Sequence, residues 1–435
     1  MTQTLPIHES CDLLIIGAGP AGMAAALAAA PSGARIVVVD DNLLPGGQIW
    51  RDGPGAQLPP AARRMRAQVA ACSNVRWLSS TRVVAAPAPQ TLLLEDAQRG
   101  LQMQWGKLLL CTGARELLLP FPGWTLPGVT GAGGLQALIK SGLPVSGERV
   151  VVAGSGPLLL AVAATARKAG AQVLRVAEQA SAAAMAGFVA QLPRWPGKAT
   201  QALGLLHAGW RTSSHVLEVQ GQGRVESVRL QQGGTIVELA CDRVACGFGL
   251  VPNIQLGQLL GCAVVSTTTG AQALQVDAWQ ATSVPNVYAA GECTGIGGSE
   301  RALVQGTVAG HAAVGQQAAA LRRWPERARW DRFAQQLAHS FALRPQLRSL
   351  PQADTLVCRC EDVPYAAVSA CSGWTDAKLH SRCGMGACQG RVCGAATQFL
   401  LGWTPPAPRV PLTPTRVGTL AAMVSTPGAS QRHTS

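Results

Sequence analysis

Apolar positions along this chain come in short runs, and three of those runs end in glycine turns that lead into small-residue helical stretches. Cys11 to Ile16 predicts a buried strand, Gly17 to Gly22 a turn, and Met23 to Ala30 an alanine-rich helix. Val37 to Val39 adds a second strand ending at Asp40. The pattern returns at Val150 to Ala153, Gly154 to Leu159 and a helix to Ala169, with Val173 to Val176 and Glu178 as the second strand and its acid. A third unit has a strand at Asn286 to Ala290, a glycine loop at Gly291 to Gly298 and a helix from Ser299 to Leu321. Between these units, Leu108 to Gly113 reads as a strand ending in a Thr-Gly turn. Val216 to Leu230 and Thr235 to Leu239 alternate as short antiparallel strands do.

Pro120-Phe121-Pro122-Gly123 and Cys246 to Asn253 read as outgoing and returning crossovers. The fold class that follows is α/β, with two Rossmann-like dinucleotide-binding domains and a small C-terminal domain. The first nucleotide domain is discontinuous, residues 1–120 and 247–345, and the second, residues 121–246, is inserted into it. Trp330 to Leu350 is expected as a helical linker, residues 351–404 as a cysteine-bearing domain, and residues 405–435, rich in Pro, Ser and Thr, as a surface or disordered tail. A length of 435 residues suits two or three domains.

In the first turn Gly17 allows the tight bend, Gly19 lets a pyrophosphate approach the backbone, and Gly22 lets the helix pack close with its N-terminal N–H groups facing phosphate. Asp40 stands where an acid accepts both hydroxyls of an adenosine ribose. Gly46-Gly47-Gln48 resembles the loop beside the flavin ring in two-domain flavoproteins, which favours FAD here. At the third unit a helix N-terminus places a positive dipole end beside the reduced flavin pyrimidine, and Glu292 is placed to bond ribityl hydroxyls. The candidate FAD residues are Gly17, Gly19, Pro20, Ala21, Gly22, Asp40, Gly47, Gln48, Thr112, Gly113, Gly291, Glu292 and Gly298. Arg301 stands where an apolar residue is expected, which weakens the start of the third helix.

The second turn offers Gly154 and Gly156, but Leu159 replaces the third glycine and is expected to hold helix and strand apart. Two readings stand: an NAD(P)H site, or a degenerate domain that is empty or holds another adenine nucleotide.

The net charge of +13 invites nucleic-acid binding, yet the arginines are scattered and aromatic residues are only 4%, too few for stacking platforms. Solvated helix faces or contact with an acidic partner explain the charge better. No apolar run approaches a membrane span and no positive segment precedes the first apolar run, so a cytoplasmic protein is expected, associated with the inner membrane face only through partners. His207, His215, His311, His339 and His380 show no metal or triad spacing, and no catalytic residue is expected in the chain.

Thirteen cysteines in such a protein point to metal or redox use rather than disulfides. Cys241, Cys246 and Cys262 form no C-x-x-C pair and read as small buried hydrophobes. Cys358-Arg-Cys360 and Cys383-Gly-Met-Gly-Ala-Cys388-Gln-Gly-Arg-Val-Cys393 gather five, with Cys371 nearby. C-x-C with C-x4-C is unusual for zinc and suits a [2Fe-2S] cluster, although a four-cysteine zinc site stays as the alternative. Cys358, Cys360, Cys388 and Cys393 are the chosen ligands, with Cys383 set aside.

Several of these motifs, together with Phe121-Pro-Gly-Trp124, Gly247-Phe-Gly-Leu-Val-Pro-Asn253 and Cys358-Arg-Cys-Glu-Asp362, make the chain similar to one family from about Asp12 to Trp403. That family is the A or alpha subunits of opine oxidases and D-hydroxyproline dehydrogenases, with the related hydrogen cyanide synthase subunit. Arg382 to Cys393 resembles the family's bacterioferritin-associated-ferredoxin-like [2Fe-2S] module, whose members often lack a cysteine at the position of Cys383. The resemblance implies a subunit working beside an amino-acid-oxidase-type flavoprotein that oxidises an amino or imino acid and passes electrons to a respiratory acceptor. Electrons would leave flavin singly for the cluster. A self-contained NAD(P)H-dependent reductase and a non-catalytic scaffold with zinc at the cysteines are the competing classes.

Overall fold

The computed structural model describes residues 7–267, 270–421 and 423. Its largest sheet runs in the order Val75–Leu78, Ile36–Val39, Ile7–Ile16, Gly100–Leu110, Thr91–Glu95, Arg82–Ala88, and Val287–Ala289 pairs with Gly100–Leu110 as well. The long strand Gly100–Leu110 serves two structures. Its first half pairs antiparallel with Thr91–Glu95, and its end pairs in parallel with both Ile7–Ile16 and Val287–Ala289. Ile16 lies opposite Val39 and Leu110, and Ala289 opposite Leu110, so the carboxyl ends of four parallel strands reach one edge. In open parallel sheets ligands bind at that edge, beside the strand from which the order runs both ways.

Helix Pro20–Ala29 starts earlier than the sequence pattern predicts, because Pro20 supplies a preset φ at the first turn. It packs on helix Gly298–Ala313, whose glycines make the closest approaches. A Cβ at Gly306 would stand 2.1 Å from the Ala21 carbonyl oxygen, and one at Gly310 would stand 2.4 Å from that of Ala25. The third helix stops at Ala313, and Gln317–Leu321 is a separate short helix. Arg301 does not disturb its start. The guanidinium pairs with Asp331 at 2.7 Å and donates to the Gly295 carbonyl at 2.6 Å, so it ties the glycine loop to helix Trp324–Ser340.

The second parallel sheet runs Trp210–Arg211, Gln172–Glu178, Arg149–Gly154, Arg243–Gly247, Val129–Gly131. The expected antiparallel strands form a separate sheet of Ser214–Gln220, Ser227–Gln232 and Thr235–Ala240. Both crossings between the two parallel sheets run side by side: Ala114–Glu116 pairs antiparallel with Leu250–Pro252. After residue 340 come a 3-10 turn at Pro345–Ser349 and the cysteine region, with its own buried cluster around Val357, Val363, Val368 and Trp374.

The stretch after residue 405 is attached to the first sheet as far as it is described. Leu412 is buried in that sheet's core, Arg416 pairs with Glu95 at 3.0 Å, and Thr419 donates to the same carboxylate at 2.8 Å. Burial would raise the Glu95 carboxyl, but the Arg416 and Thr419 hydrogen bonds outweigh it and hold it below the usual range. Residues 424–435 of the expected tail lie outside the described residues.

Because Gly306 meets backbone rather than a yielding side chain, Gly306→Leu must part the two helices. A loss of about 3 kcal/mol is expected, read as a lower thermal midpoint. A midpoint equal to the native chain's would contradict this packing.

Candidate functional site

The first glycine turn sits at the sheet edge. Gly17 has φ +107°, and a Cβ there would stand 2.2 Å from the Cys111 carbonyl oxygen. A Cβ at Gly22 would stand 1.9 Å from the carbonyl oxygen of Gly17. The Gly46 N–H donates to Ala18 at 2.8 Å, and a Cβ at Gly47 would come within 3.0 Å of the Gly19 Cα, so the second glycine pair is laid against the first turn. Gln48 turns to Arg51, accepting its guanidinium at 2.9 Å.

Asp40 accepts the Ala18 N–H at 2.5 Å through Oδ2, and the Asn42 N–H and side-chain amide at 2.8 and 2.7 Å through Oδ1. A carboxylate oxygen has two acceptor positions, which leaves one on Oδ2.

The third unit reaches the same place. A Cβ at Gly291 would stand 2.9 Å from the Ala21 Cβ, and the Gly291 N–H donates to Gln305 Oε1 at 2.9 Å. Glu292 accepts the Gly298 N–H at 3.3 Å, and burial raises its carboxyl. Thr112 and Gly113 are held by Asn253: Thr112 Oγ1 donates to the Asn253 carbonyl at 2.6 Å, while Asn253 Nδ2 and N donate to Thr112 and Gly113 at 2.9 and 3.0 Å. Asn253, quoted in the sequence only as the end of a crossover motif, and Gln305 are positioning residues that the sequence reading does not place at the site. Asn253 ends the returning crossover and Gln305 lies within a helix, and neither place carries a residue-type signal of its own.

The second turn is built as expected and then covered. Gly156 N–H and Ala180 N–H donate to Glu178 at 2.7 and 2.8 Å, and Glu178 is 1% exposed. Burial pushes its carboxyl up to about 7. Leu159 does not wedge helix from strand. It is buried with Ala132, Leu135, Val162 and Val176, filling space between helix Leu158–Lys168 and the sheet.

Above the turn lies the segment after helix Trp324–Ser340. The Phe341 ring comes within 4.0 Å of where a Gly156 Cβ would be, the side at which a pyrophosphate approaches. Ser155 Oγ donates to the Phe341 carbonyl at 2.9 Å. The fully buried Gln179 donates to the Ala342 carbonyl at 3.2 Å and accepts the Arg344 N–H at 3.1 Å.

In the cysteine region Cys358, Cys383 and Cys393 are buried, with sulfurs all within 4.8 Å of one another. Cys360, exposed, and Cys388, half-buried, lie near enough for each thiol to shift the other's ionisation. Cys383, set aside in the sequence reading, therefore stands inside the thiol group. Glycines make the gathering feasible, since a Cβ at Gly386 would stand 2.2 Å from the Cys360 Cβ. The Trp374 ring packs on the glycines of these loops, and a Cβ at Gly384 would stand 2.6 Å from it and one at Gly390 2.9 Å. Cys371 bonds only within its own helix turn, to the Ala367 carbonyl at 3.3 Å.

Residues 11–319 match the family described as pyridine nucleotide-disulphide oxidoreductase. The chain belongs to this family. Its reading as a flavin oxidoreductase is borne out by that membership. It is 31% identical over 453 residues to hydrogen cyanide synthase subunit HcnB of Pseudomonas aeruginosa, covering 92% of this chain and 96% of the relative. It is 32% identical over 430 residues to the A subunit of opine oxidase from Rhizobium meliloti, covering 90% and 92%. The resemblance read from the motifs thus holds over most of the chain. Among solved structures, L-proline dehydrogenase from P. horikoshii superposes with a TM-score of 0.67 at 18% identity, over 95% of this chain and 80% of that one. Thioredoxin reductase from T. acidophilum superposes with a TM-score of 0.51 at 21% identity, over 73% and 98%. These two show the fold.

Glu178 sets a pH dependence for the second domain. Its folded value of about 7 against an ordinary 4.5 means its contribution to stability is fully present below 4.5 and lost as pH rises to about 7. The loss is on the order of 3 kcal/mol. In Glu178→Gln the side chain stays neutral, so the decline in thermal midpoint across that window becomes shallower; an unchanged slope would count against the assignment.

Proposed function

We propose that this chain is the electron-transferring flavoprotein subunit of a hetero-oligomeric dehydrogenase for amino or imino acids of the opine or D-hydroxyproline type. The observation that carries the reading is the gathering of Cys358, Cys383 and Cys393, with Cys360 and Cys388 on the same loops, in a region appended to a flavin-type fold. In this reading residues 1–120 and 247–345 form the FAD domain, 121–246 the NAD-like domain, 351–404 the [2Fe-2S] domain, and 405–435 the C-terminal segment. The relatives are named as subunits, one of hydrogen cyanide synthase and one of opine oxidase, which supports a chain that works in an assembly. Its partner would be an amino-acid-oxidase-type flavoprotein that meets the substrate, with a respiratory acceptor downstream. No helix among the described residues is long and apolar enough to cross a membrane. A cytoplasmic complex, held at the inner membrane face through partners, is the setting proposed.

The residues fit the groups. Close backbone at Gly17, Gly19 and Gly22, with Gly47 laid against Gly19, leaves a side-chain-free cradle for the pyrophosphate of FAD, and the N-terminus of helix Pro20–Ala29 faces it. Asp40 Oδ2 takes a ribose hydroxyl, and Glu292 and the N–H groups near Gly298 serve the ribityl chain and pyrimidine side. Bound FAD supplies two-electron oxidation with single-electron release, and a [2Fe-2S] cluster supplies one-electron transfer. Cys358, Cys360, Cys388 and Cys393 are the proposed ligands. The packing of Phe341 to Arg344 over the second glycine turn supports a site where NAD(P)H does not dock, and so argues against a self-contained reductase.

Two experiments test this. Cys393→Ser is expected to lose iron while keeping flavin, and Cys383→Ser to keep both. Equal iron loss in the two variants would replace the proposed ligand set with one that includes Cys383. Zinc in place of iron in the anaerobically purified native chain would favour the scaffold class. In addition, NAD(P)H added anaerobically is expected to leave the flavin absorbance unchanged over minutes, whereas rapid bleaching would restore the reductase reading.

A further inference from the structure

Most half-buried arginines of this chain have an acid beside them. Arg66 pairs with Asp52, Arg243 with Glu148 and Arg301 with Asp331, each at 2.7 Å. Arg115 and Arg391 do not, nor do Arg51, Arg175 and Arg344, but among these only Arg115 and Arg391 sit against the cysteine loop. Arg115 lies on the outgoing crossover strand Ala114–Glu116 and donates Nε to the Arg391 carbonyl at 2.9 Å, and Nη1 to Asn253 Oδ1 at 3.1 Å and to the Pro252 carbonyl at 3.3 Å. Arg391, inside the cysteine loop, donates to the Cys388 carbonyl at 3.4 Å, to Gln389 Oε1 at 3.1 Å and to the Leu412 carbonyl. Among the described residues their partners are neutral oxygens only. Two like charges are thus drawn out of water side by side with no carboxylate, an arrangement that costs stability unless a negative charge stands nearby. The two guanidinium groups meet the cysteine loop directly, Arg391 through the Cys388 carbonyl and Arg115 through the Arg391 carbonyl.

We infer that Arg115 and Arg391 form a cationic shelf under Cys388 that docks the cysteine domain on the flavin-type domain and favours the reduced, more negative state of the centre. The inference rests on the [2Fe-2S] reading above. Four thiolates give such a cluster a net negative charge that grows by one on reduction, so fixed cations in a poorly solvated place raise its potential. The placement of Arg115 gives the shelf a second effect. Asn253, which it holds, also fixes Thr112 and Gly113, so the same guanidinium touches the support of the candidate flavin site and the loop that bears two proposed ligands.

The test is an EPR-monitored redox titration of the full chain purified anaerobically with its cofactors, comparing Arg115→Gln and Arg391→Gln with Arg115→Lys and Arg391→Lys. At a fixed potential each Gln variant is expected to shift the reduced-to-oxidised ratio of the centre about tenfold toward oxidised, equivalent to about 59 mV for one electron. The Lys variants, which keep the charge, are expected to retain most of the native ratio. Gln variants with a native midpoint overturn the inference, as do Lys variants that fall as far as Gln. Where iron is lost instead, loss confined to the Gln variants supports the shelf and loss in both overturns it. A native chain with no iron signal at all overturns the cluster reading, and the inference falls with it.

Discussion

The architecture turns on a contact where two backbones touch without side chains between them. Helix Pro20–Ala29, near the start of the chain, and helix Gly298–Ala313, after the inserted domain, approach so closely at Gly306 and Gly310 that the carbonyls of Ala21 and Ala25 occupy the space a Cβ would need. This seam joins the two stretches of the first domain. It also sets the position of the loop from Gly291, which Gln305 of the same helix holds by its side chain. The candidate flavin site is assembled across the seam, with its first turn from one side and Gly291, Glu292 and Gly298 from the other. A change that widens the seam moves half the site relative to the other half.

The inserted domain hangs on the paired crossovers, and those crossovers connect the two sites. Asn253 and Arg115 lie at their edge, one fixing the Thr112–Gly113 turn and the other reaching Arg391. The second glycine turn keeps the hydrogen bonds of a dinucleotide site, with Glu178 accepting two N–H groups. Its outer face, however, carries Phe341 to Arg344 of the same chain. The segment leading to the cysteines is thus packed on this domain.

What was legible in the sequence was local. Strand, glycine turn and helix at residues 11–30 and 150–169 announce themselves because backbone close to backbone demands glycine at fixed spacings, and the cysteine loops because thiols cluster visibly. The family followed from the same motifs. What was not legible depends on tertiary contact. Arg301 looked misplaced in a helix start, since its partner Asp331 lies on another helix. Leu159 looked like a wedge, since the pocket that receives it is built partly by Ala132 and Leu135. The cover over the second turn and the shelf of Arg115 and Arg391 join residues far apart in the chain, and no spacing rule reports them. Cys383 is the spare when four ligands are chosen from five cysteines, and its place beside Cys358 and Cys393 appears only in the fold.

In the proposed assembly one chain holds both a flavin and a one-electron cysteine centre that exchange electrons. The most direct measurement is an anaerobic reductive titration of the full chain, followed by visible absorbance and EPR together. Uptake of about three electrons per chain is expected, two with flavin bleaching and one with a paramagnetic [2Fe-2S] signal. Uptake of about two electrons with flavin bleaching alone and no iron signal would contradict it.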